Sequence, residues 1–291
     1  MHARTKAVLA GTAALLTVGL VAPAPAGAVT GGIEDRGNTY ANVGMLAFYD
    51  DGGRYRCSGT LVSPTVVVTA AHCTAGTEGD TIVSFDPVID EAPPSDLPVA
   101  GDTAAGYGPA DELPAGWHRG TAHTHPRYSD FTDQANWNDV GVVVLDEAVA
   151  GIAPAQLAAP NELDRYAQPR LNHTAFRVVG YGTEVRQADS GPQKPTPMSY
   201  PILRRYTDVV GQKLTPQILQ VNGNEHDVRA GGGTCFGDSG GPSFAPDSGH
   251  LVTVTSYGYT SNCRYIDGLQ RVDVPVVQSW LATFGVTPAA G

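Results

Sequence analysis

Short apolar runs rich in β-branched residues recur along most of the chain, and turn-forming residues separate them. Runs of this kind between Gly, Pro, Asn and Asp clusters are typical of strands in an antiparallel barrel or sandwich. The pattern therefore predicts an all-β fold. The clearest predicted strands are Val43–Tyr49, Gly59–Val62, Val66–Thr69, Thr81–Phe85, Val140–Leu145, Ala175–Val179 and Leu251–Tyr257.

One segment, Pro275–Phe284, has apolar residues at the spacing of a helix with one buried face, and a proline opens it. It predicts a closing helix that packs on the β structure. Two polar segments interrupt the strand pattern, and we expect Asp86–Trp117 to form a long exposed excursion. Glu184–Pro201 is similarly polar and contains four prolines. Gly151–Pro160 is typical of a connector, which divides the chain into halves of residues 29–150 and 151–291.

The first 28 residues have the features of a secretory signal peptide. Basic residues precede a small-residue apolar stretch, Ala7–Ala22, and Ala26-Gly27-Ala28 is a small-x-small cleavage site. No later segment is long and apolar enough to span a bilayer. We therefore expect a secreted, extracellular protein.

Removal of residues 1–28 takes away two basic residues and no acidic one, which changes the formal net charge from −11 to −13. This charge argues against nucleic acid and anionic membranes as partners.

The block Cys235–Pro242 contains one serine, Ser239, between glycines and beside an acid, Asp238. Glycines let backbone N–H groups approach a reacting carbonyl, so a serine in this setting can be a nucleophile whose oxyanion is held by main-chain donors. By itself such a cluster is more typical of a surface turn. The functional interpretation requires a base and an orienting acid elsewhere in the chain.

Two residues are candidates for those roles. His72 follows the apolar run 66–69 and precedes Cys73, and an imidazole can accept a serine proton near neutral pH. Asp139 immediately precedes the apolar run 140–145, where an acid needs a hydrogen-bond partner such as an imidazole N–H. A structural histidine and a turn aspartate are the alternative interpretations of the two residues taken singly.

Three blocks, Thr69–Cys73, Asn138-Asp139 and Gly237–Pro242, contain the candidate residues in the order His, Asp, Ser. In that order and in their sequences they resemble the trypsin/chymotrypsin family of serine endopeptidases. The resemblance runs from Val29 to about Phe284. Further matches lie at Val29–Gly32, Cys57–Leu61, Val179–Thr183 (with Tyr181 in place of a family tryptophan) and Ser256–Gly258.

The resemblance implies two antiparallel six-stranded β-barrels with a C-terminal helix, the first barrel holding His72 and Asp139 and the second holding Ser239 and the specificity pocket. It implies a secreted serine endopeptidase that acts through an acyl-enzyme. Ser239 would be the nucleophile, His72 the base and Asp139 the residue that orients it. The backbone N–H groups of Gly237 and Ser239 would form the oxyanion hole.

The resemblance also assigns an ion pair between Asp238 and the amino group of Val29, which signal cleavage after Ala28 would expose. Cleavage after Ala26 instead would leave a dipeptide to be trimmed. Ser256 would support Asp139, and Gly258 would let an extended peptide pair as a strand.

The specificity pocket is open to two interpretations. Gly233, followed by Thr234, stands where the trypsin branch has an acid. Alignment on Arg271-Val272 puts Asp267 near the pocket floor, where it would attract Lys or Arg. With the gap elsewhere, Gly268 lines the pocket and a large apolar residue is preferred, while Asp267 is an ordinary turn residue. The candidate substrate-binding residues are Gly233, Thr234, Ser256, Gly258 and Asp267.

Four cysteines in an exported chain indicate disulfides with three connectivities, and no Cys-x-x-Cys spacing suggests zinc. We expect the pairs Cys57–Cys73 and Cys235–Cys263. His123 and His125 are interpreted as solvated loop residues, so we expect no metal and no cofactor. We also expect protein or peptide substrates and a monomeric protein.

Two alternative interpretations fit the chain less well. Gly237–Gly241 also fits the nucleophile elbow of α/β-hydrolases, but that fold needs alternating helices and a catalytic histidine after the serine, where only His250 occurs. A catalytically silent homologue that acts as a binding protein would usually lack the serine or the histidine, and this chain has both.

Overall fold

Fifteen strands, one α-helix and four 3₁₀ turns make up the regular structure of the residues that the structure describes. The structure, a computed structural model, describes residue 29 and residues 31–92, 95, 97–183, 201–224, 227–260 and 263–291. The predicted signal peptide and most of the polar segment Glu184–Pro201 lie outside the described residues. In chain order the strands are β1 (Ile33–Glu34), β2 (Val43–Asp50), β3 (Gly53–Ser63), β4 (Val66–Thr69), β5 (Glu78–Ser84), β6 (Val88–Asp90), β7 (Trp117–Thr124), β8 (Gly141–Leu145), β9 (Ala175–Gly180), β10 (Ile202–Leu203), β11 (Arg205–Leu214), β12 (Ile218–Asn222), β13 (Pro242–Phe244), β14 (Leu251–Gly258) and β15 (Ile266–Arg271).

Two closed antiparallel barrels contain most of these strands. The first barrel has the ring order β2-β3-β4-β8-β7-β5, with β5 returning to β2. The second runs β9-β11-β12-β15-β14-β13 and closes on β9. Strand β1 extends it by pairing with β11, and β6 pairs separately with β10. The predicted fold class, two six-stranded antiparallel barrels, is confirmed.

The uninterrupted valine run of β4 is explained by burial on both faces of the sheet. Successive strand residues point to opposite faces. Val67 packs inside the first barrel with Leu46 and Val83. Val66 and Val68 belong instead to a cluster that continues into the second barrel and the C-terminal helix. The strand that leads to His72 is therefore fixed from inside and outside.

The predicted C-terminal helix is present as α1, Pro275–Leu281, with Pro275 in its first turn, and a 3₁₀ turn at Ala282–Phe284 follows. Val277 and Leu281 are fully buried in the cluster between the barrels, and Trp280 packs against it. The helix thus covers the seam between the barrels. In the part of the chain that the structure describes, no helix has the length and hydropathy to cross a membrane. The other 3₁₀ turns are Ala71–Cys73, Glu162–Tyr166 and Arg170–His173.

The expected exposure of Asp86–Trp117 is wrong for several of its residues. Strand β6 lies inside this segment, and Ala100 and Tyr107 are buried. The Tyr107 ring centroid lies 5.0 Å from that of Tyr49, and the Tyr107 carbonyl accepts a 2.7 Å hydrogen bond from the backbone of Asp80. A polar, proline-rich composition concealed two residues that anchor the segment to the first barrel.

Candidate active site

His72 stands on a rigid 3₁₀ turn immediately after β4. A disulfide from Cys57 on β3 to Cys73 ties this turn to the neighbouring strand. The imidazole is partly exposed, with 22% of its side-chain surface accessible. The turn therefore presents a held but accessible ring, as a general base requires.

Asp139 is fully buried and lies beside His72 because β4 and β8 are paired, with Thr69 opposite Gly141. Its Oδ1 accepts a 2.9 Å hydrogen bond from the His72 backbone N–H, and its Oδ2 lies 2.9 Å from His72 Nδ1. An ionised carboxylate only accepts, so Nδ1 carries the proton of this bond. The Nε2 atom is left as the basic nitrogen.

The second barrel completes the surroundings of Asp139. The Ser256 hydroxyl donates a 2.6 Å hydrogen bond to Asp139 Oδ2 and itself accepts a 2.9 Å bond from Trp137 Nε1. The Asp139 backbone N–H donates to Gln270 Oε1 at 3.1 Å. Gln270 and Trp137 were missed in the sequence, where no short motif marks either residue as part of the site.

Ser239 reaches the same region because the residue after it, Gly240, packs against the strand that leads to His72. A Cβ on Gly240 would lie 2.0 Å from Thr69 Oγ1, and the residue has φ +75°. The Ser58 backbone N–H donates to the Ser239 carbonyl at 2.8 Å. Ser239 and His72 thus line one cavity of about 660 Å³. No hydrogen bond joins the two side chains among those formed by the described residues, and such contacts are often long before substrate binds.

Two backbone N–H groups beside the Ser239 hydroxyl are available. The N–H groups of Asp238, Gly240 and Gly241 donate to the carbonyls of Cys235, Thr255 and Asp238. Those of Gly237 and Ser239 have no acceptor within the described ranges. Unpaired backbone donors are uncommon in folded proteins, so a free pair next to a candidate nucleophile indicates an anion site.

Asp238 is buried between two glycines of the second barrel. A Cβ on Gly180 or on Gly182 would lie 2.3 Å from one of its carboxylate oxygens. Its oxygens accept backbone hydrogen bonds from Gly182 at 2.7 Å and from Cys235 at 2.8 Å. Burial raises the pKa of Asp238 to about 7, although these donors and the charges of two nearby arginines, Arg56 and Arg205, oppose the shift.

Val29 is buried in the interior cluster of the second barrel, with φ +52°. Its carbonyl accepts a 2.6 Å hydrogen bond from the Gly32 N–H. In the uncleaved chain its nitrogen is part of a peptide bond, so the predicted ion pair with Asp238 requires cleavage after Ala28.

A second, smaller cavity of about 150 Å³ opens on the other side of Ser239. Strand β14 forms one wall, including Ser256 and Gly258, and Thr234 and the disulfide Cys235–Cys263 contribute to the lining. Gly233 is not among the residues that line this cavity, and a Cβ on it would come within 2.5 Å of Gly223 Cα.

Asp267 is buried on β15, paired with Gly258 of the cavity wall, and it does not itself line the cavity. Its Oδ2 accepts a 2.7 Å hydrogen bond from the Thr234 N–H, and its Oδ1 would lie 3.4 Å from a Cβ on Gly258. Burial raises the pKa of Asp267 to about 7, although its hydrogen bonds with Thr234 oppose the shift. Gly268 is covered, because a Cβ there would lie 2.1 Å from the Tyr257 ring.

The two candidate loop histidines do not form a pair. His123 is exposed on β7, whereas His125 is buried, which corrects its interpretation as a solvated residue. The His125 ring lies 5.0 Å from that of Trp280, and its Nδ1 accepts a 3.1 Å hydrogen bond from the backbone of Arg127. It packs the first barrel against the C-terminal helix, where an apolar helix face takes the place of solvent.

Comparison with known proteins identifies the family. The family model described as Trypsin matches residues 31–281. Trypsin of Saccharopolyspora erythraea is 31% identical over 223 residues, which cover 73% of this chain and 80% of that protein. Brachyurin of Leptuca pugilator is 28% identical over 272 residues, 89% of this chain and all of the relative.

Solved structures agree on the fold. HL collagenase superposes with a TM-score of 0.60 at 18% identity, covering 87% of this chain and 97% of that one. Human heparin binding protein gives a TM-score of 0.55 at 18% identity, covering 90% and 98%. With a family model that matches most of its length and relatives that match in sequence, the chain belongs to the trypsin family of serine endopeptidases.

Proposed function

We propose that this protein is a secreted endopeptidase in which Ser239, His72 and Asp139 hydrolyse peptide bonds through an acyl-enzyme. The observation that carries the proposal is the double hydrogen bond from His72 to Asp139, beside a cavity that His72 shares with Ser239. The free N–H groups of Gly237 and Ser239 support it, because they supply donors for an oxyanion.

In the first half of the reaction, Ser239 Oγ attacks the substrate carbonyl carbon and its proton passes to His72 Nε2. The carbonyl oxygen becomes an oxyanion that accepts hydrogen bonds from Gly237 and Ser239. The carbon–nitrogen bond then breaks, and His72 returns the proton to the leaving amine. Asp139 keeps the ring in the required tautomer and stabilises the imidazolium.

In the second half, water replaces the leaving amine and gives a proton to His72 Nε2 as it attacks the acyl carbon. Collapse of the second tetrahedral intermediate breaks the bond to Ser239 Oγ, which takes the proton back from His72. The products are a carboxylic acid and the free enzyme, so no further reactant is needed.

We further propose that the cavity beside Gly258 accepts the side chain that precedes the scissile bond, with Asp267 next to its wall at Gly258. The burial of Gly268 beneath the Tyr257 ring favours this alignment over the one in which Gly268 lines the pocket. An ionised Asp267 would select Lys or Arg. The opposite cavity, which His72 lines, would receive the leaving group, because His72 must protonate it.

The amino terminus is the third part of the proposal. Cleavage after Ala28 would free the Val29 ammonium group, which would pair with the buried Asp238 and order the oxyanion hole. Amino-terminal sequencing of secreted protein tests this step: a sequence that begins Val29-Thr30 supports activation by export, and a start at or before Gly27 indicates a second processing step.

A fluorophosphonate reagent tests the catalytic proposal directly, because it labels only an activated serine. We expect the mature protein to be labelled at Ser239 and to hydrolyse peptides, and both properties to be lost in Ser239→Ala and His72→Ala. Folded protein that is neither labelled nor active would support the silent binding homologue instead. Circular dichroism of each variant provides the folding control.

A further inference from the structure

A buried guanidinium, that of Arg204, lies between the amino-terminal segment and the residues that hold the oxyanion hole. Its side chain has 0% exposure, and it directly precedes β11. The Nε–H donates a 2.8 Å hydrogen bond to Asp35 Oδ2, and Nη2 donates to Asn38 Oδ1. Both acceptors belong to the amino-terminal segment, residues 31–40, so one side of the guanidinium binds the segment that follows Val29.

The other side of the guanidinium binds the first barrel and Tyr181. Nη1 faces three acceptors, the Val43 carbonyl at 2.9 Å, the Phe85 carbonyl at 3.0 Å and the Tyr181 hydroxyl at 3.1 Å. The Tyr181 hydroxyl in turn donates to the Asp86 carbonyl at 2.8 Å. Since the resemblance to the family would place tryptophan at this position, the hydroxyl that Arg204 binds is a feature of this chain.

Tyr181 is the central residue of the segment Gly180–Gly182, here named the cradle segment because it encloses Asp238. The Tyr181 N–H donates a 2.9 Å hydrogen bond to Ser58 Oγ, which donates at 2.8 Å to the Gly237 carbonyl. One residue further on, the Gly182 N–H binds Asp238. Tyr181 is therefore linked to Gly237 through Ser58, and to Asp238 through the next residue, Gly182.

We propose that Arg204 is a positioning residue for the oxyanion hole. It acts through Tyr181 and the cradle segment, in parallel with the ion pair between Val29 and Asp238. Because the same guanidinium holds Asp35 and Asn38, docking of the amino-terminal segment and placement of the cradle segment depend on one buried group. This inference rests on the proposed function of Ser239 and concerns how its oxyanion donors are held.

The charge of Arg204 is matched, which explains how it is tolerated in the interior. Asp35 is 2% exposed and also accepts hydrogen bonds from the backbone of Thr39 at 2.7 Å and Tyr40 at 2.9 Å. A buried charge is costly unless it is paired and hydrogen-bonded. Removal of Arg204 would therefore endanger folding, so the decisive variant is one that leaves the ion pair intact.

Tyr181→Phe is that variant, since it removes one hydroxyl and keeps the ring. The probes are a peptide aldehyde, whose adduct with Ser239 places an oxygen in the oxyanion hole, and the matching peptide alcohol, which binds without one. We expect Tyr181→Phe to weaken the aldehyde and to lower kcat by about tenfold, and to change alcohol binding and KM by less than about twofold. A loss of packing alone would affect both probes.

Tyr166→Phe is the matched control. Tyr166 is a buried tyrosine of the second barrel whose ring packs on Phe176, and it is outside the contacts described above. We expect its aldehyde-to-alcohol ratio to equal that of the wild type. Arg204→Lys keeps the charge and loses the planar fork, so it should add little to the kcat loss of Tyr181→Phe in a double variant.

The outcomes separate the two proposals. If Tyr181→Phe has wild-type turnover and an unchanged aldehyde-to-alcohol ratio, the role of Arg204 is overturned and the proposed function of Ser239 is unaffected. A wild-type protein with neither turnover nor labelling at Ser239 would overturn the proposed function and, with it, this inference. If Arg204→Lys fails to fold, the Tyr181→Phe result decides.

Discussion

The carboxylate of Asp139 holds His72 at two points, its backbone N–H and its ring Nδ1, each at 2.9 Å. One contact fixes the position of the residue, and the other fixes the orientation and tautomer of the ring. Asp139 therefore sets the orientation of the proposed base before any substrate binds.

Asp139→Asn should keep this geometry and impair the chemistry. An amide that donates to Nδ1 would leave the proton on Nε2, the wrong tautomer for accepting from Ser239. We expect kcat on a peptide substrate to fall by about 10⁴-fold at neutral pH, the size of loss seen when a triad carboxylate is replaced by an amide. Asp208→Asn, which alters a partly exposed ion pair with Arg177, is the control and should keep its activity.

Substrate preference should depend on pH if Asp267 is the pocket acid. Its pKa is raised to about 7 by burial, so the empty pocket is neutral below that pH and negative above it. The ratio of kcat/KM for an Arg peptide to that for a Phe peptide should rise by at least about tenfold between pH 5.5 and 8.5. In Asp267→Asn the ratio should stay flat. A preference for the Phe peptide throughout would contradict the role of Asp267.

The stability of the uncleaved chain should fall as pH rises, because of Asp238. Its pKa is raised by burial from 3.8 to about 7, so the folded state binds the proton more tightly than the unfolded state does. The stabilisation is complete below about pH 4 and is lost as pH passes through about 7, at roughly 1.4 kcal/mol per pKa unit. With Gly27 and Ala28 retained, the melting temperature should fall between pH 5 and 8 by about 5 °C more than in Asp238→Asn.

The mature protein provides the internal comparison for that experiment. A free Val29 ammonium beside Asp238 would lower the carboxyl pKa and remove the extra fall in melting temperature. Parallel pH profiles for the uncleaved chain and its Asp238→Asn variant would show that the titration of Asp238 does not contribute.

Gly240→Ala should abolish activity for a steric reason. The new Cβ would lie 2.0 Å from Thr69 Oγ1 and 2.6 Å from the Ser58 carbonyl, so the serine segment would move away from His72. We expect kcat/KM to fall by more than about 100-fold. Gly249→Ala is a close control, because Gly249 has φ +71° and no atom within 4 Å of its Cβ position. It shares the backbone strain without the collision and should retain full activity.

Much of the fold could be predicted from the sequence where apolar runs were long. The predicted strands at 43–49, 66–69 and 251–257 lie within observed strands. Strand β7 was missed because its sequence, Trp117–Thr124, is polar and half-exposed, and β15 was missed because Asp267 and Gly268 interrupt it. Neither strand has the period-2 hydrophobic pattern on which sequence-based assignment depends.

The site divides in a similar way. His72, Asp139 and Ser239 each lie in a short contiguous sequence motif, so they could be recognised from the sequence. Gln270 and Arg204 are single polar residues within or beside strands, and their importance depends on partners more than a hundred residues away. Only pairing of the two barrels brings those partners together, and no local pattern encodes it.

Because both barrels contact Asp139, catalytic activity depends on how the two halves of the molecule are positioned relative to each other. His72 and Asp139 come from the first barrel, whereas Ser256 and Gln270, which hold Asp139, come from the second. A small rotation between the halves would misalign the imidazole while leaving each barrel folded. Turnover would then be lost before any melting transition, and a cut in the connector 151–160 would inactivate a protein whose spectrum still looks native.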